Sequence, residues 1–279
     1  MKRLFCVLTA IVTFGLLTFQ SPTYAQEKIK VLSDGPLQPA LATIGEALRR
    51  ESGHQVEFTF GTSPVIHKKV VDGEVADVLL IQPNFVDELV KSGKVVAGEH
   101  TVIGRVGIGL AARADAAARD IGTVEAFKQV LLNADALVFN NVASGNYFAT
   151  VLDRLNIAEA VKTKVVRLPP AAVFARLSQG KGNDIGVGTI PQINADKNLR
   201  LLGSLPADVQ SYIVYTAVPM STAPSPQGAR AFIAFLGSSA AKALFLANGV
   251  ETDAGSRVVG ERGTPNQPLQ GTPQTSRRP

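Results

Sequence analysis

From residue 28 onward, short apolar segments of strand length alternate with stretches whose apolar residues recur at three- and four-residue steps. Period-two and period-3.6 patterns in regular succession predict strand–helix units, which pack as an α/β fold with mostly parallel sheets. Ile29 to Leu32 reads as a strand. Leu37, Ala40, Leu41, Ile44 and Leu48 then form the apolar stripe of a helix ending near Gly53. Val56, Phe58 and Phe60 alternate with polar residues as a second strand. Ser63-Pro64 reads as an N-cap with proline in the first helical turn, with Ile66 and Val70 on the buried face. Val78 to Ile81 predicts a third strand, and Phe85, Leu89 and Val90 a helix closed by Gly93.

The pattern restarts at Val106, Ile108 and Leu110. It continues as helix 123–132, strand 137–139, helix 145–156, strand 164–168, helix 171–179 and strand 184–188. An alternating segment from Tyr212 to Val218 precedes two closing helices, one starting at Ser225-Pro226 and one ending at Asn248-Gly249. Two α/β sets joined by extended crossings near Arg105 and Ser211 predict a hinge at the crossings. The expected division is one discontinuous lobe of residues 26–105 and 212–252, and a second lobe of residues 106–211. Residues 253–279 shift to Gly, Pro, Gln, Ser, Thr and Arg with almost nothing apolar. They read as a disordered tail to which no function is assigned.

The amino terminus has a different logic. Lys2 and Arg3 precede an apolar run from Leu4 to Phe19, and Thr23-Tyr24-Ala25 supplies small residues where a signal peptidase reads. The expectation is a signal peptide over residues 1–25, cleaved after Ala25. The run is too short for the roughly 20 apolar residues that span a bilayer. Cys6 is the single cysteine of the chain and lies inside this segment, so the exported protein has no thiol for a disulfide or a lipid anchor. A formal charge of +5 over 279 residues, without clustered Lys/Arg or interleaved aromatics, argues against a nucleic-acid partner.

Three predicted strand-to-helix turns are small and polar: Ser33-Asp34-Gly35-Pro36, Gly61-Thr62-Ser63-Pro64 and Asn140 to Gly145. Helix N-termini carry unpaired N–H groups and a partial positive charge, so several converging on one cleft make an anion site without Lys or Arg. Taken singly, Ser, Asp and Asn in such turns are ordinary caps. Enzyme motifs are poor. Gly61-Thr62-Ser63-Pro64-Val65 lacks the last glycine of a nucleophile elbow, and the glycines of Gly107-Ile108-Gly109 lie within a strand rather than in the turn after one. His54, His67 and His100 are scattered, and Asp34, Asp77 and Asp184 form a weak carboxylate triplet at best. No cofactor and no metal site are therefore expected.

In order and spacing, the chain from Lys28 to Val250 resembles the periplasmic molybdate-binding family of ABC-transporter solute receptors. The resemblance rests on Val31-Leu32 with its turn, Phe60-Gly61-Thr62-Ser63, Asp72 to Val78, Val142 to Tyr147, Gly180 to Gly186, and Ser238 to Phe245 with Asn248-Gly249. It implies a two-lobed type II periplasmic binding protein fold, monomeric, with a ligand cleft between the lobes. The implied role is to bind a small anionic or polar solute in the periplasm and deliver it to a membrane permease, without catalysis.

Carried over by position, the resemblance implies that Ser63 holds an oxyanion through its hydroxyl and N–H. Ser144 and Ala171 would contribute backbone N–H groups, and Thr189, or Gly188 after a one-residue slip, would take the place of the family's cleft tyrosine. The remaining expected ligand-binding positions are Ser33, Asp34, Thr62, Gly145 and Asn146. The family's first-turn serine is Pro36 here, which has neither hydroxyl nor N–H. With Asp34 adding a negative charge, the site is expected to hold an oxyanion weaker by roughly 3–5 kcal/mol, on the order of a thousandfold. These two departures argue against molybdate itself. A different small anion, a small carboxylate, or a polar neutral solute whose donor pairs with Asp34 remain open. The competing expectations are a secreted hydrolase with Ser63 or Ser144 as nucleophile assisted by His67 or Asp34, and a receptor fold reused for signalling or adhesion.

Overall fold

A computed structural model describes residues 28–180 and 182–252; the expected signal segment and tail lie outside these described residues. The first elements are β1 (Ile29–Asp34), α1 (Gln38–Ser52), β2 (Val56–Gly61), α2 (Ser63–Val71), β3 (Val78–Ile81) and α3 (Pro83–Lys91). The long β4 (Thr101–Arg113) leads to α4 (Val124–Leu132), β5 (Ala136–Asn140), α5 (Ala143–Arg154), α6 (Ala158–Val161), β6 (Val165–Leu168) and α7 (Pro170–Gln179). The chain closes with β7 (Asp184–Thr189), α8 (Ile190–Ala195), β8 (Leu199–Ser204), β9 (Tyr212–Pro219), α9 (Pro226–Leu236), α10 (Ser239–Ala247) and β10 (Val250–Glu251).

The strands run in the order β2-β1-β3-β9-β4-β7-β5-β6, with β10 and β8 also paired to β4. Within this order β1, β2 and β3 are mutually parallel, as are β5, β6 and β7, whereas β9 and β4 run against their neighbours. The result is a mixed, curled sheet flanked by helices. β4 changes partners along its length. Thr101 to Gly107 pairs with β9, and Ile108 to Ala111 pairs with β7. One strand thus serves both halves, and β9 returns beside it from Tyr212.

Successive side chains of a strand point to opposite faces, and each half of the sheet uses both. In the first half, Ile29, Val31, Val78 and Leu80 pack with α1 and with Phe232, Phe235 and Phe245 of the closing helices, while Leu32, Leu79 and Ile81 pack with Ile66, Val70, Val86 and Leu89 of α2 and α3. In the second half, Leu137, Phe139, Ile185 and Val187 pack with α4 and α5, while Ala136 and Val138 pack with Val173 and Leu177 of α7. Among the described residues no single helix is long and apolar enough to cross a membrane.

The helix ends follow their local chemistry. Gly53 closes α1 in the left-handed region at φ 77°, a conformation glycine adopts without a Cβ penalty. The Thr123 and Ser238 hydroxyls cap α4 and α10 by accepting from Ala126 N and Ala241 N, both at 3.1 Å. At α2 the expectation needs correction. The capping position is Thr62, and Ser63 is the first helical residue, its hydroxyl spent on a partner outside the helix.

Candidate ligand-binding site

In open parallel sheets, ligands bind beyond the carboxyl ends of the strands. Six such ends meet here. β1 delivers Asp34, β2 Gly61 to Ser63, β3 Gln82, β5 Asn140, β6 Pro169 and β7 Thr189, and all of them line one cavity of about 360 Å³. The N-termini of α2, α5 and α7 point into the same space, and Tyr215 and Ile213 of β9 form part of its wall. Three aromatic rings, Phe60, Phe174 and Tyr215, and the prolines Pro36, Pro64, Pro169 and Pro170 make much of the lining apolar.

Asp34 is the single charged side chain in this lining. It is 5% exposed and accepts from the Ser63 N–H at 3.1 Å, while the Ser63 hydroxyl donates to the same oxygen, Oδ2, in a short hydrogen bond. The Ser63 hydroxyl in turn accepts from Gln82 N at 3.2 Å. Burial pushes the Asp34 carboxyl above its ordinary value of 3.8, and hydrogen bonds from Ser63, Gln82 and Gly35 pull the other way. The Tyr215 phenol is raised well above 10.0, first by burial and then by the negative charge of Asp34, so it stays neutral.

The opposite wall is organised by Asn140. Its Oδ1 accepts from Val142 N at 3.0 Å and Gly145 N at 3.1 Å, and its Nδ2 donates to the Ser144 hydroxyl at 3.0 Å. A Cβ on Gly145 would lie 1.9 Å from the Asn140 carbonyl oxygen, so only glycine permits this close turn. The N–H groups of Ala143, Ser144 and Ala171 lie in first helical turns, where no intrahelical acceptor exists, and they have no backbone acceptor among the described residues. Thr189 donates to Gln192 Oε1 at 2.8 Å. Gly35 of the first half faces the Gln192 amide of the second, with 3.4 Å from its Cβ position to Nε2.

Of the positions expected from sequence, Asp34, Thr62, Ser63, Ser144, Ala171 and Thr189 lie in the cavity wall. Ser33, Gly145 and Asn146 do not. Ser33 precedes Asp34 in β1, so strand alternation turns its hydroxyl away, and it donates to the Asp34 carbonyl at 3.2 Å. Gly145 is buried beneath the turn with its N–H taken by Asn140. Asn146 is exposed, donating to Asn141 O and accepting from Arg167. Gln82, Gln192, Phe60, Phe174, Ile213 and Tyr215 are wall residues that the sequence reading missed. For Gln82 a signal existed, since it follows a strand and precedes Pro83 at a helix start, as Thr62 and Ser63 do.

The competing arrangements are dispersed. His67 Nε2 lies 3.1 Å from Glu88 at the surface, outside the cavity wall, so no imidazole stands beside Ser63 or Ser144. Asp77 accepts from Lys30 N and Ser225 N, and Asp184 pairs with Arg176 at 3.1 Å, so neither joins Asp34.

Comparison with known proteins adds to this geometry. The chain is 27% identical over 240 residues, 82% of its length and 91% of the relative's, to an aconitate isomerase of a Pseudomonas species. Its fold is similar to the Azotobacter vinelandii periplasmic molybdate-binding protein, with TM-score 0.68, 17% identity, and coverage of 80% of this chain and 98% of that one. It is likewise similar to the sulfate-binding protein SubI of Mycobacterium tuberculosis, with TM-score 0.65, 18% identity, and coverage of 81% and 87%. These neighbours share the two-lobed periplasmic binding protein fold, so the α/β class expected from the strand–helix alternation and the two-lobed form that the resemblance implies are the ones observed. The profile of bacterial extracellular solute-binding proteins matches residues 29–251, and the chain belongs to that family.

Proposed function

We propose that this chain is the periplasmic receptor of an ABC transporter: it binds a small organic anion in the cavity and hands it to a membrane permease. The observation that carries this reading is the cavity itself, set at the carboxyl ends of six strands from both halves. Its lining offers hydroxyls, amides and free first-turn N–H groups, and it contains no Lys, Arg or His. Such a wall grips charge through oriented dipoles, which lets the ligand leave without breaking a salt bridge. Size favours a carbon skeleton. The cavity of about 360 Å³ leaves room for more than the five non-hydrogen atoms of a tetrahedral oxyanion. Residues 26–105 with 212–252 would form one lobe and 106–211 the other, closing over the ligand about β4 and β9.

A ligand bound only by the native state raises the melting temperature in proportion to RT ln(1 + [L]/Kd). Melting the protein with molybdate, sulfate and a panel of mono-, di- and tricarboxylates is the test. A clear shift with one or more carboxylates is expected, and no shift with any member would remove the receptor reading.

A second reading has one specific observation behind it, the similarity over 240 residues to an aconitate isomerase. In that reading Asp34, buried at the cavity wall beside Ser63, takes a proton from carbon next to a conjugated double bond and returns it to the same ligand, with no net change in composition. Incubation with cis- and trans-aconitate followed by proton NMR decides it. Interconversion that stops in Asp34→Asn supports the isomerase, and unchanged spectra remove it.

A further inference from the structure

We infer that Asp34 fixes the ligand class: by holding both donors of Ser63, it turns the first-half wall of the cavity into an acceptor, so the site selects an organic acid that brings its own hydroxyl or other donor to Asp34 and rejects bare oxyanions. This inference rests on the receptor reading and deepens it. The start of α2 ought to be the strongest anion grip in the cavity, with a backbone N–H and a hydroxyl at Ser63 aimed the same way. Both are already engaged on Asp34 Oδ2. Pro64 follows and has no N–H to add. The position an incoming anion's oxygen would take is occupied by an oxygen of the protein itself.

Apart from Thr62, the Gln82 amide and the Tyr215 phenol, the remaining donors of the wall belong to the second half. The N–H groups of Ala143, Ser144 and Ala171 have no backbone acceptor among the described residues, and the Ser144 hydroxyl, which receives from Asn140 through its oxygen, keeps its hydrogen to donate. The cavity therefore has two poles, an acceptor pole at Asp34 and a donor pole at α5 and α7, and its wall also holds the apolar Phe60, Phe174, Pro36 and the Tyr215 ring. A carboxylate fits the donor pole. An ionised carboxylate has about four lone-pair sites; both Ser63 bonds fall on Oδ2, so a ligand hydroxyl is left to Oδ1, in competition with the Gln82 amide and the Gly35 N–H. A dianion such as molybdate or sulfate has no donor for that pole and sets charge against charge.

The test is titration calorimetry of the wild-type chain and Asp34→Asn with sulfate, molybdate and the matched pairs malate and succinate, and citrate and tricarballylate. In the wild type, sulfate and molybdate give no binding heat, and the hydroxyl-bearing member of at least one pair binds about tenfold tighter than its partner. In Asp34→Asn, the amide oxygen can accept from Ser63 while the amide nitrogen becomes a donor. The hydroxyl preference collapses, and the plain carboxylates gain about tenfold. Asp34→Ser serves if the asparagine variant melts below the wild type. Wild-type binding of molybdate or sulfate, or an order of ligands unchanged by both variants, overturns the inference and leaves the receptor reading standing. Silence of the wild type toward every carboxylate and oxyanion overturns both.

Discussion

The guanidinium of Arg105 lies 3.9 Å from the ring centroid of Tyr212, so the two strands that carry the chain between the halves of the fold are clasped side by side. Arg105 is in β4 just before it changes partner, and Tyr212 opens β9 opposite Gly107. The same guanidinium reaches Glu251 of β10 at 2.8 Å, tying the last strand to the crossing.

Both partners of that ion pair are more than a third exposed, so solvent screens it, and the stacking on Tyr212 is the larger contribution. Arg105→Ala is expected to lower stability by about 1 kcal/mol, read as a drop in urea midpoint at unchanged slope. Arg105→Lys should lose most of the same amount, because an ammonium stacks poorly on a ring. Equal stability of all three proteins would show that the clasp contributes nothing.

Gly145 is held under the Asn140 carbonyl, with no room for a methyl group at 1.9 Å from an oxygen that cannot move without breaking β5. Gly145→Ala is expected to destabilise by more than about 2 kcal/mol. Gly237→Ala is the control, since its added Cβ would meet only the Ala234 carbonyl at 3.4 Å and should change stability by less than about 0.5 kcal/mol. Chemical denaturation of the two variants side by side makes the comparison.

Much of this fold was readable in the sequence, and the limits have a physical cause. The strands from Ile29, Val56, Val78 and Asp184, and the helices between them, announced themselves by local periodicity. β8 did not, because Leu199 to Ser204 follows a one-turn helix and breaks alternation with the pair Leu201-Leu202. The polar turns at Thr62, Ser63 and Ser144 were legible as helix starts. Tyr215 and Ile213 were not legible as cavity residues, since their position depends on β9 inserting between β3 and β4, a pairing across more than a hundred residues. The contact of Ser63 with Asp34, 29 residues away, escaped for the same reason; it engages the hydroxyl of the first helical residue, and Thr62 holds the N-cap position without a side-chain cap bond.

Asn140 organises the second wall with one side chain, accepting from two backbone N–H groups and donating to one hydroxyl. Asn140→Ala removes all three bonds and strands buried donors, at a cost of about 2–4 kcal/mol. Asn140→Asp retains the acceptor for Val142 and Gly145 but faces Ser144 with an acceptor and adds a second negative charge to the cavity wall. It should fold better than the alanine variant and bind carboxylates worse. Thermal melts with and without the tightest carboxylate of the panel separate the two effects.

The raised carboxyl of Asp34 makes both stability and binding depend on pH, with a sign that can be worked out. A carboxyl whose folded pKa lies above its ordinary 3.8 is protonated in the folded chain at pH values where the unfolded chain has already lost the proton. The folded state then holds more protons, so the stability linked to Asp34 is complete below about 3.8 and declines as pH rises through the folded value. Asp34→Asn removes that decline, and its stability relative to wild type should improve steadily as pH rises across the window. Binding follows the same direction. Asp34 and Tyr215 are the titratable side chains in the wall, and Tyr215 stays neutral, so acidification converts the acceptor pole into a donor. Affinity for a fully ionised carboxylate should rise as pH falls toward the Asp34 value in the wild type and stay flat in Asp34→Asn. Calorimetric titrations at a series of pH values, using a ligand whose own pKa lies below the range, read this directly; the same slope in both proteins would place the titrating group elsewhere.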